Sequence, residues 1–94
     1  MKKRASARHI LVADESTCAQ LKSDIEAGQD FAEVARKHSQ CPSARQGGDL
    51  GEFGPGEMVR EFDTVVFSAP LNTVQGPVRT QFGYHLIEVT ARTP

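Results

Sequence analysis

A short apolar run near the start of the chain predicts a first β-strand. Residues Ala7–Val12 are mostly apolar and are followed by polar residues, as is typical of a strand. Successive side chains of a strand point to opposite faces of its sheet. His9 and Leu11 therefore share one face, and Ile10 and Val12 share the other.

Two further strands are predicted near the end of the chain. Residues Tyr84–Val89 form the last strand, with His85, Ile87 and Val89 on one face. A short turn separates it from a preceding strand at Gly76–Thr80. That strand carries an early proline, which cannot donate a backbone hydrogen bond, so we expect it at an edge of the sheet. Together the two segments predict a hairpin.

Helical periodicity follows the first strand. Glu15–Ala27 reads as a helix with Asp14 as its N-cap and Gly28 as its C-terminal stop. Asp30 and Glu33 have the spacing of a capping box that begins a second helix. The stripes of the two helices are Cys18, Leu21 and Ile25 in the first, and Phe31, Val34, Ala35 and, one turn on, His38 in the second.

The middle of the chain is rich in glycine. Residues 40–57 are predicted to be mostly loop, with five glycines between residues 47 and 56 that demand unusual backbone angles or close chain approach. A short strand fits at Leu50–Phe53, and a third helix fits at Val59–Phe67. This mixed order of strands and helices, with a terminal hairpin, predicts an α+β sandwich with an antiparallel sheet.

Length and charge narrow the class of protein. Ninety-four residues fit one domain, predicted over 1–94 with a flexible basic tail at residues 1–4. Eleven basic and twelve acidic residues nearly cancel, which argues against binding nucleic acid through phosphate contacts. No stretch approaches the roughly 20 apolar residues of a membrane span. We therefore expect neither a nucleic acid nor a membrane as partner.

The cysteine content bears on the compartment. Cys18 and Cys41 are the two cysteines, fewer than a disulfide scaffold of this size usually carries. The basic start of the chain is not followed by an apolar segment, so it does not have the pattern of an export signal. We expect free thiols and a cytoplasmic location.

Histidines are the first candidates for chemistry. Two of the three, His9 and His85, lie in mid-strand and would face each other if the first and last strands pair. Each is equally well a structural histidine. Cys41, which precedes a proline, is either a polar lining residue or nucleophile or a small buried hydrophobe. A zinc site from these residues and His38 is disfavoured, because only the weak spacing His38-x-x-Cys41 is present.

An ordered set of motifs extends over nearly the whole chain. In chain order they are Arg8-His9-Ile10-Leu11-Val12, Ser39-x-Cys41-Pro42-Ser43, Gly47-Gly48-Asp49-Leu50-Gly51, Met58-Val59-x-x-Phe62, Gly76-Pro77-Val78 and Thr80-Gln81-Phe82-Gly83-Tyr84-His85-Leu86-Ile87. Each motif alone is weak, but all six in this order are highly specific. By these motifs the chain resembles the parvulin-type peptidyl-prolyl cis/trans isomerases, and especially the small single-domain bacterial parvulins.

The resemblance implies a fold and a polar site. The fold is the parvulin (FKBP-like) fold, a four-stranded antiparallel sheet with three main helices and one short helix. His9 and His85 fall on the family's histidine pair at the sheet centre. Cys41 falls on a third polar position, which relatives occupy with cysteine or aspartate. Thr80 and Ser39 fall on hydroxyl positions that support the histidines.

The resemblance also implies an apolar pocket for proline. Leu50, Met58, Phe62 and Phe82 fall on its lining positions, and Val59 sits where a backbone amide can meet a substrate carbonyl. The implied activity is rotation about X-Pro bonds in unfolded or flexible polypeptides, without cofactor, metal or covalent intermediate. A monomer is the default expectation.

The substrate class and the competing functions follow from the same residues. Some relatives select phosphoserine or phosphothreonine through a basic loop after the first strand. Here Ala13–Thr17 is acidic and would repel phosphate, so we expect no phosphate requirement. Two other functions stay open: a binding module that holds proline segments without turnover, and a cysteine hydrolase that uses Cys41 with His9 or His85.

Overall fold

Residues 3–93 are described by the structure, a computed structural model. The strands are β1 (Arg4–Val12), β2 (Asp49–Phe53), β3 (Val74–Thr80) and β4 (Gly83–Thr93). The helices are α1 (Glu15–Glu26), α2 (Phe31–His38) and α3 (Arg60–Val66), with a 3-10 helix at Pro42–Gln46. The strands form one antiparallel sheet in the order β2-β1-β4-β3, which confirms the predicted α+β class.

The starts of α1 and α2 are fixed by the side chains that the sequence predicted. The Asp14 carboxylate accepts a hydrogen bond from the Thr17 amide at 2.9 Å, and the Asp30 carboxylate accepts one from the Glu33 amide at 3.1 Å. Each cap satisfies an amide that has no partner within its own helix. The last turn of α2 carries basic residues, which the partial negative charge of a helix C-terminus favours.

One apolar core lies between the sheet and the helices α1 and α2. Ile10 and Val12 of β1 and Leu86 of β4 point to this side and are almost completely buried. The helical residues packed against them are Cys18, Leu21, Phe31, Val34 and Ala35. The face of β1 that the alternation assigned to Ile10 and Val12 is therefore the face that α1 and α2 cover.

A second core lies on the opposite face of the sheet, against α3. Ile87 and Val89 of β4 pack there with Phe62 and Val66 of α3 and Phe53 of β2. His85 is on this same face by strand alternation, as predicted, and so is His9 of β1. The sheet thus separates a core of ordinary apolar residues from a layer in which α3 meets two histidines.

Both long strands exceed their predicted limits. Strand β1 begins at Arg4, which pairs with Thr93, and β4 continues past Val89 to that residue. The prediction of a flexible tail through residue 4 is therefore wrong at Arg4, whose guanidinium also bonds the Glu52 carboxylate at 3.1 Å. Residues 1 and 2 of the predicted tail lie outside the described residues. The ends of these strands are set by pairing with each other across the sheet.

Other boundaries differ by less. Strand β3 begins two residues before its predicted start and lies at the sheet edge, as the early proline predicted. Val59 and Phe67 flank α3 as caps and are not part of the helix. The predicted loop between α2 and β2 contains the 3-10 helix Pro42–Gln46, with proline at its first position. Cys18 and Cys41 are unbridged. Within residues 3–93, the structure contains no helix suited to crossing a lipid bilayer.

Candidate active site

Two histidines meet at the centre of the sheet. His9 lies on β1 and His85 on β4, and the register pairs His9 with Ile87 and Leu11 with His85. The histidines are therefore diagonal neighbours on one face, close enough for their side chains to interact. Their Nδ1 atoms are 3.0 Å apart, and their ring planes differ by 17°. The pairing of the first and last strands brings them together, as the sequence predicted.

Burial keeps both imidazoles uncharged near neutral pH. His9 is 5% exposed and His85 is 4% exposed. Burial, followed by the charge that His85 would carry, lowers the pKa of His9 from 6.5 to about 4. Burial also lowers the pKa of His85. Both rings are thus neutral hydrogen-bonding groups at pH 7.

Thr80 and Phe62 hold the histidine pair in place. The Thr80 hydroxyl lies 2.7 Å from His85 Nε2 and also accepts a hydrogen bond from the Phe82 amide at 3.1 Å. The ring of Phe62 meets both imidazoles nearly at right angles, with centroid distances of 5.5 Å to His9 and 5.8 Å to His85. This edge-to-face arrangement is a favourable one for aromatic rings. The sheet and α3 together fix both rings.

An apolar cavity of about 350 Å³, the central cavity, opens beside this pair. Its walls are almost entirely apolar. They come from β1, β2, β4 and α3, from the start of the 3-10 helix and the segment before it, from the segment before α3 and from the turn between β3 and β4. The lining residues are His9, Leu11, Gln40, Cys41, Pro42, Leu50, Met58, Val59, Phe62, Phe82 and His85. A cavity of this size with a few convergent polar groups is typical of a binding site.

Apart from Ser39, nine site residues were predicted, and eight of them line this cavity. The ninth, Thr80, is linked to it through its contact with His85. Phe82 differs from the other apolar lining residues, because it is 60% exposed at the turn between β3 and β4. It forms part of the rim of the cavity. Phe62, 3% exposed, lies at its base next to the imidazoles.

Ser39 does not have the predicted role. Its hydroxyl accepts a hydrogen bond from the Leu11 amide at 3.0 Å and a longer one from the Cys41 amide at 3.4 Å, and it contacts neither histidine. The resemblance implied that the Ser39 hydroxyl supports the histidines, but among residues 3–93 it makes no hydrogen bond to His9 or His85. Ser39 instead fastens the segment that carries Cys41 to β1, and the Gln40 amide adds a bond of 2.7 Å to the Leu11 carbonyl.

Gly48 brings the glycine-rich loop against β1. The His9 amide donates a 2.9 Å hydrogen bond to the Gly48 carbonyl, and Gly48 has a φ of +87°. A Cβ at this position would lie 2.3 Å from the His9 carbonyl oxygen, closer than atoms in contact can come. The loop can therefore reach the backbone of a site histidine only with glycine here.

Sequence reasoning missed three lining residues of the cavity. Leu11 shares its strand face with His9, so the alternation already contained the signal. Gln40 and Pro42 flank Cys41, and no local pattern separates them from ordinary loop residues. Their position depends on how Ser39 docks the loop.

The alternative chemistries find little support in the geometry. Within the described part of the chain, no three potential metal ligands converge, and His38 is exposed on α2. The Cys41 thiol makes no hydrogen bond to either histidine among residues 3–93, and the two Nδ1 atoms face each other. A nucleophilic cysteine is activated by a base within hydrogen-bond reach, and the described residues show no such bond to Cys41.

Comparison with known proteins decides the family. The rotamase family, described as the PPIC-type PPIase domain, matches residues 3–91. The chain belongs to this family. It is a peptidyl-prolyl cis/trans isomerase domain of the parvulin type, with the parvulin fold that the motifs implied.

Similar proteins differ in length. The foldase protein PrsA of Geobacillus sp. (strain WCH70) is 48% identical over 90 residues, which are 95% of this chain and 33% of the relative. The PrsA crystal structure from Bacillus anthracis superposes with a TM-score of 0.95 and 36% identity, over 99% of this chain and 43% of that one. NmPin, the parvulin of Nitrosopumilus maritimus, has a TM-score of 0.86 and 29% identity, over 97% and 99%. The chain spans about a third of the length of the PrsA foldase from this Geobacillus strain, and a similar share of the other PrsA relatives.

Proposed function

We propose that this parvulin domain catalyses X-Pro rotation without a covalent intermediate, by binding the twisted amide more tightly than either planar form. The observation that carries the proposal is the apolar central cavity, which lies beside two neutral imidazoles that are hydrogen-bonded to each other through their Nδ1 atoms. Rotation breaks no covalent bond. It requires only that amide resonance be lost, against a barrier of about 18–20 kcal/mol. A ten-thousand-fold acceleration needs about 5.4 kcal/mol of preference for the twisted form.

The cavity supports that preference through desolvation. Twisting makes an amide less polar, because the carbonyl loses negative charge and the nitrogen regains its lone pair. Met58, Phe62 and Leu50 offer an apolar seat for the proline ring and exclude the water that stabilises the planar amide. The segment around Cys41 completes the wall next to the histidines. The polar and apolar sides of the cavity thus act together on the rotating bond.

We propose one proton arrangement for the histidine pair. The Thr80 hydroxyl accepts a hydrogen bond from the Phe82 amide at 3.1 Å and lies 2.7 Å from His85 Nε2. With the hydroxyl donating to that nitrogen, His85 carries its proton on Nδ1 and donates it to His9 Nδ1, and His9 carries its proton on Nε2. In this proposal the directed chain from Thr80 through His85 to His9 sets both tautomers and shapes the electrostatic field at the cavity wall.

Unmodified X-Pro segments are the proposed substrates. The segment Ala13–Thr17 carries Asp14, whose pKa is lowered by hydrogen bonds from Thr17 and Ser16, so its carboxylate is charged at neutral pH. A phosphate would be repelled there. The similarity to PrsA foldases supports unfolded or flexible polypeptides as partners. The monomeric state and the cytoplasmic location stay predictions from the sequence.

The test is exchange spectroscopy on an Ala-Pro peptide in the presence of catalytic amounts of the domain. We expect the domain to raise the cis/trans exchange rate, whereas a module that only holds proline segments would bind the peptide without faster exchange. Met58→Ala should lower the catalysed rate about tenfold, because it opens the apolar seat. Leu71→Ala is the matched control, since Leu71 is an exposed apolar residue outside the cavity.

The same assay tests the non-covalent mechanism. Cys41→Asp removes the only thiol that lines the cavity, and it should retain substantial activity because the thiol makes no hydrogen bond to the histidines within residues 3–93. Complete loss of exchange in a folded Cys41→Asp variant, or an acyl adduct detected by mass spectrometry, would instead favour a covalent role for Cys41.

Phosphate selectivity is a separate prediction. Peptides with serine, phosphoserine or glutamine before proline should differ by less than about fivefold in kcat/KM, with no advantage for the phosphorylated one. Asp14→Asn is the informative variant, because it removes a carboxylate from the acidic segment. A wild-type preference of tenfold or more for phosphoserine would overturn the prediction.

A further inference from the structure

A second cavity lies directly beside the central one. It measures about 510 Å³ and is lined by Gln40, Cys41, Pro42, Ser43, Arg45 and Gln46. Three of these residues, Gln40, Cys41 and Pro42, also line the central cavity. The two cavities therefore adjoin each other along this segment. We call the second one the Arg45 cavity.

The Arg45 cavity differs from the central one in polarity and charge. Arg45 is the single charged residue among its lining residues, and no carboxylate lines it. Arg45 is exposed and makes no ion pair within residues 3–93, whereas Arg4, Arg8 and Arg36 each pair with a glutamate. A guanidinium that no carboxylate neutralises makes this part of the surface electropositive.

The remaining polar groups of the cavity are uncharged. Gln40 and Gln46 carry amides that can donate hydrogen bonds. Ser43 also lines the cavity, and its hydroxyl oxygen is buried with no hydrogen-bond partner within the described part of the chain. A buried hydroxyl without a partner costs free energy. The amide donors beside the Arg45 guanidinium suit an anionic oxygen ligand.

We propose that the Arg45 cavity binds the carboxylate of an acidic residue that flanks the substrate proline. The proposal rests on the proposed function, because the peptide must first occupy the central cavity with its proline. An extended chain advances about 3.3–3.6 Å per residue, so a side chain within about three residues of the proline can reach an adjoining cavity. A guanidinium can hold a carboxylate through two parallel hydrogen bonds, and aspartate and glutamate are the amino acids that supply that group.

The probe is a set of Ala-Pro peptides in which one flanking position at a time carries glutamate or the isosteric glutamine. At one or two positions we expect glutamate to raise kcat/KM about two- to fivefold over glutamine, as befits an exposed ion pair. Arg45→Gln should abolish that ratio while leaving the glutamine peptides unchanged. Arg79→Gln, which removes the same charge from an exposed position outside this cavity, should keep the ratio.

Salt provides a second readout. Raising sodium chloride from 0.05 to about 0.5 M should shrink the glutamate preference toward one, because screening weakens exposed charge pairs. Equal rates for glutamate and glutamine at every position would overturn the proposal, and so would a preference that survives Arg45→Gln. Stronger Arg45-dependent selection of a phosphoserine peptide would also overturn the assignment to a carboxylate. Failure to accelerate any peptide would instead contradict the proposed function.

Discussion

Gly48→Ala is expected to lower the free energy of unfolding by more than about 3 kcal/mol. The added methyl group would lie 2.3 Å from the carbonyl oxygen of His9, and the backbone must also hold a φ of +87°. Because that oxygen belongs to the backbone of a central strand, it cannot move aside as a flexible side chain would. Urea unfolding followed by circular dichroism measures the loss.

Gly51→Ala is the matched control for this variant. Gly51 lies three residues further on, in β2, with a φ of +71°, but a Cβ there meets no atom within 4 Å. Its cost should be limited to the left-handed conformation, about 1–2 kcal/mol. The difference between the two variants therefore isolates the close approach of the loop to His9. Equal losses would show that the approach is unimportant. The isomerase activity of Gly48→Ala should fall as well. The His9 amide donates a 2.9 Å hydrogen bond to the Gly48 carbonyl, so a displaced loop would also displace His9.

Acidification should destabilise the domain between pH 6.5 and pH 4. The folded state lowers the pKa of His9 from 6.5 to about 4, so in this range the unfolded state binds more protons and stability rises with pH. Lowering the pH to 4 should cost about 3 kcal/mol through His9 alone, and His85 acts in the same direction. Asp14 contributes only in more acidic solution, because its pKa is lowered from 3.8. Urea unfolding at a series of pH values measures the slope.

Variants of two histidines show which residue causes the dependence of the unfolding free energy on pH. His9→Gln should remove most of it, whereas His38→Gln should retain it because His38 is exposed on α2. An NMR titration of the His9 ring in the wild-type protein provides an independent measurement that does not require a folded variant. A midpoint near 6.5 for His9 would contradict the expected effect. Exchange activity should decline over the same acidic range, because protonating the pair breaks the contact between the two Nδ1 atoms.

The site was largely predictable because its residues lie in strongly patterned segments. Strand alternation is local, and it placed His9 and His85 each on a definite face without knowledge of the rest of the fold. The motifs then supplied the lining residues Met58 and Phe62, and both lie where a pocket was expected. The role of Ser39 was not predictable, because a hydroxyl has several possible hydrogen-bond partners. Only the path of the loop brings it to the Leu11 amide.

The loop before β2 shows where local patterns stop. Residues 40–57 were expected to be mostly irregular, but they contain the 3-10 helix Pro42–Gln46, whose Arg45 lines the cavity beside the central one. No periodicity marks a 3-10 helix of five residues, since it makes fewer than two turns. The exposure of Phe82 at the rim of the central cavity could not be predicted from the sequence either, because it depends on which residues pack around the turn.

By itself the sequence determined the helices and the strand faces, and through its motifs it indicated the parvulin family. The helices and strand faces depend on neighbours within a few residues, whose spacing the sequence states directly. Only the tertiary structure decided the 3.0 Å contact between His9 and His85, the anchoring role of Ser39 and the cavity at Arg45. The histidine contact joins residues 76 positions apart, and the other two depend on how a loop without periodicity docks onto the sheet. Such distances are set by the packing of the whole domain.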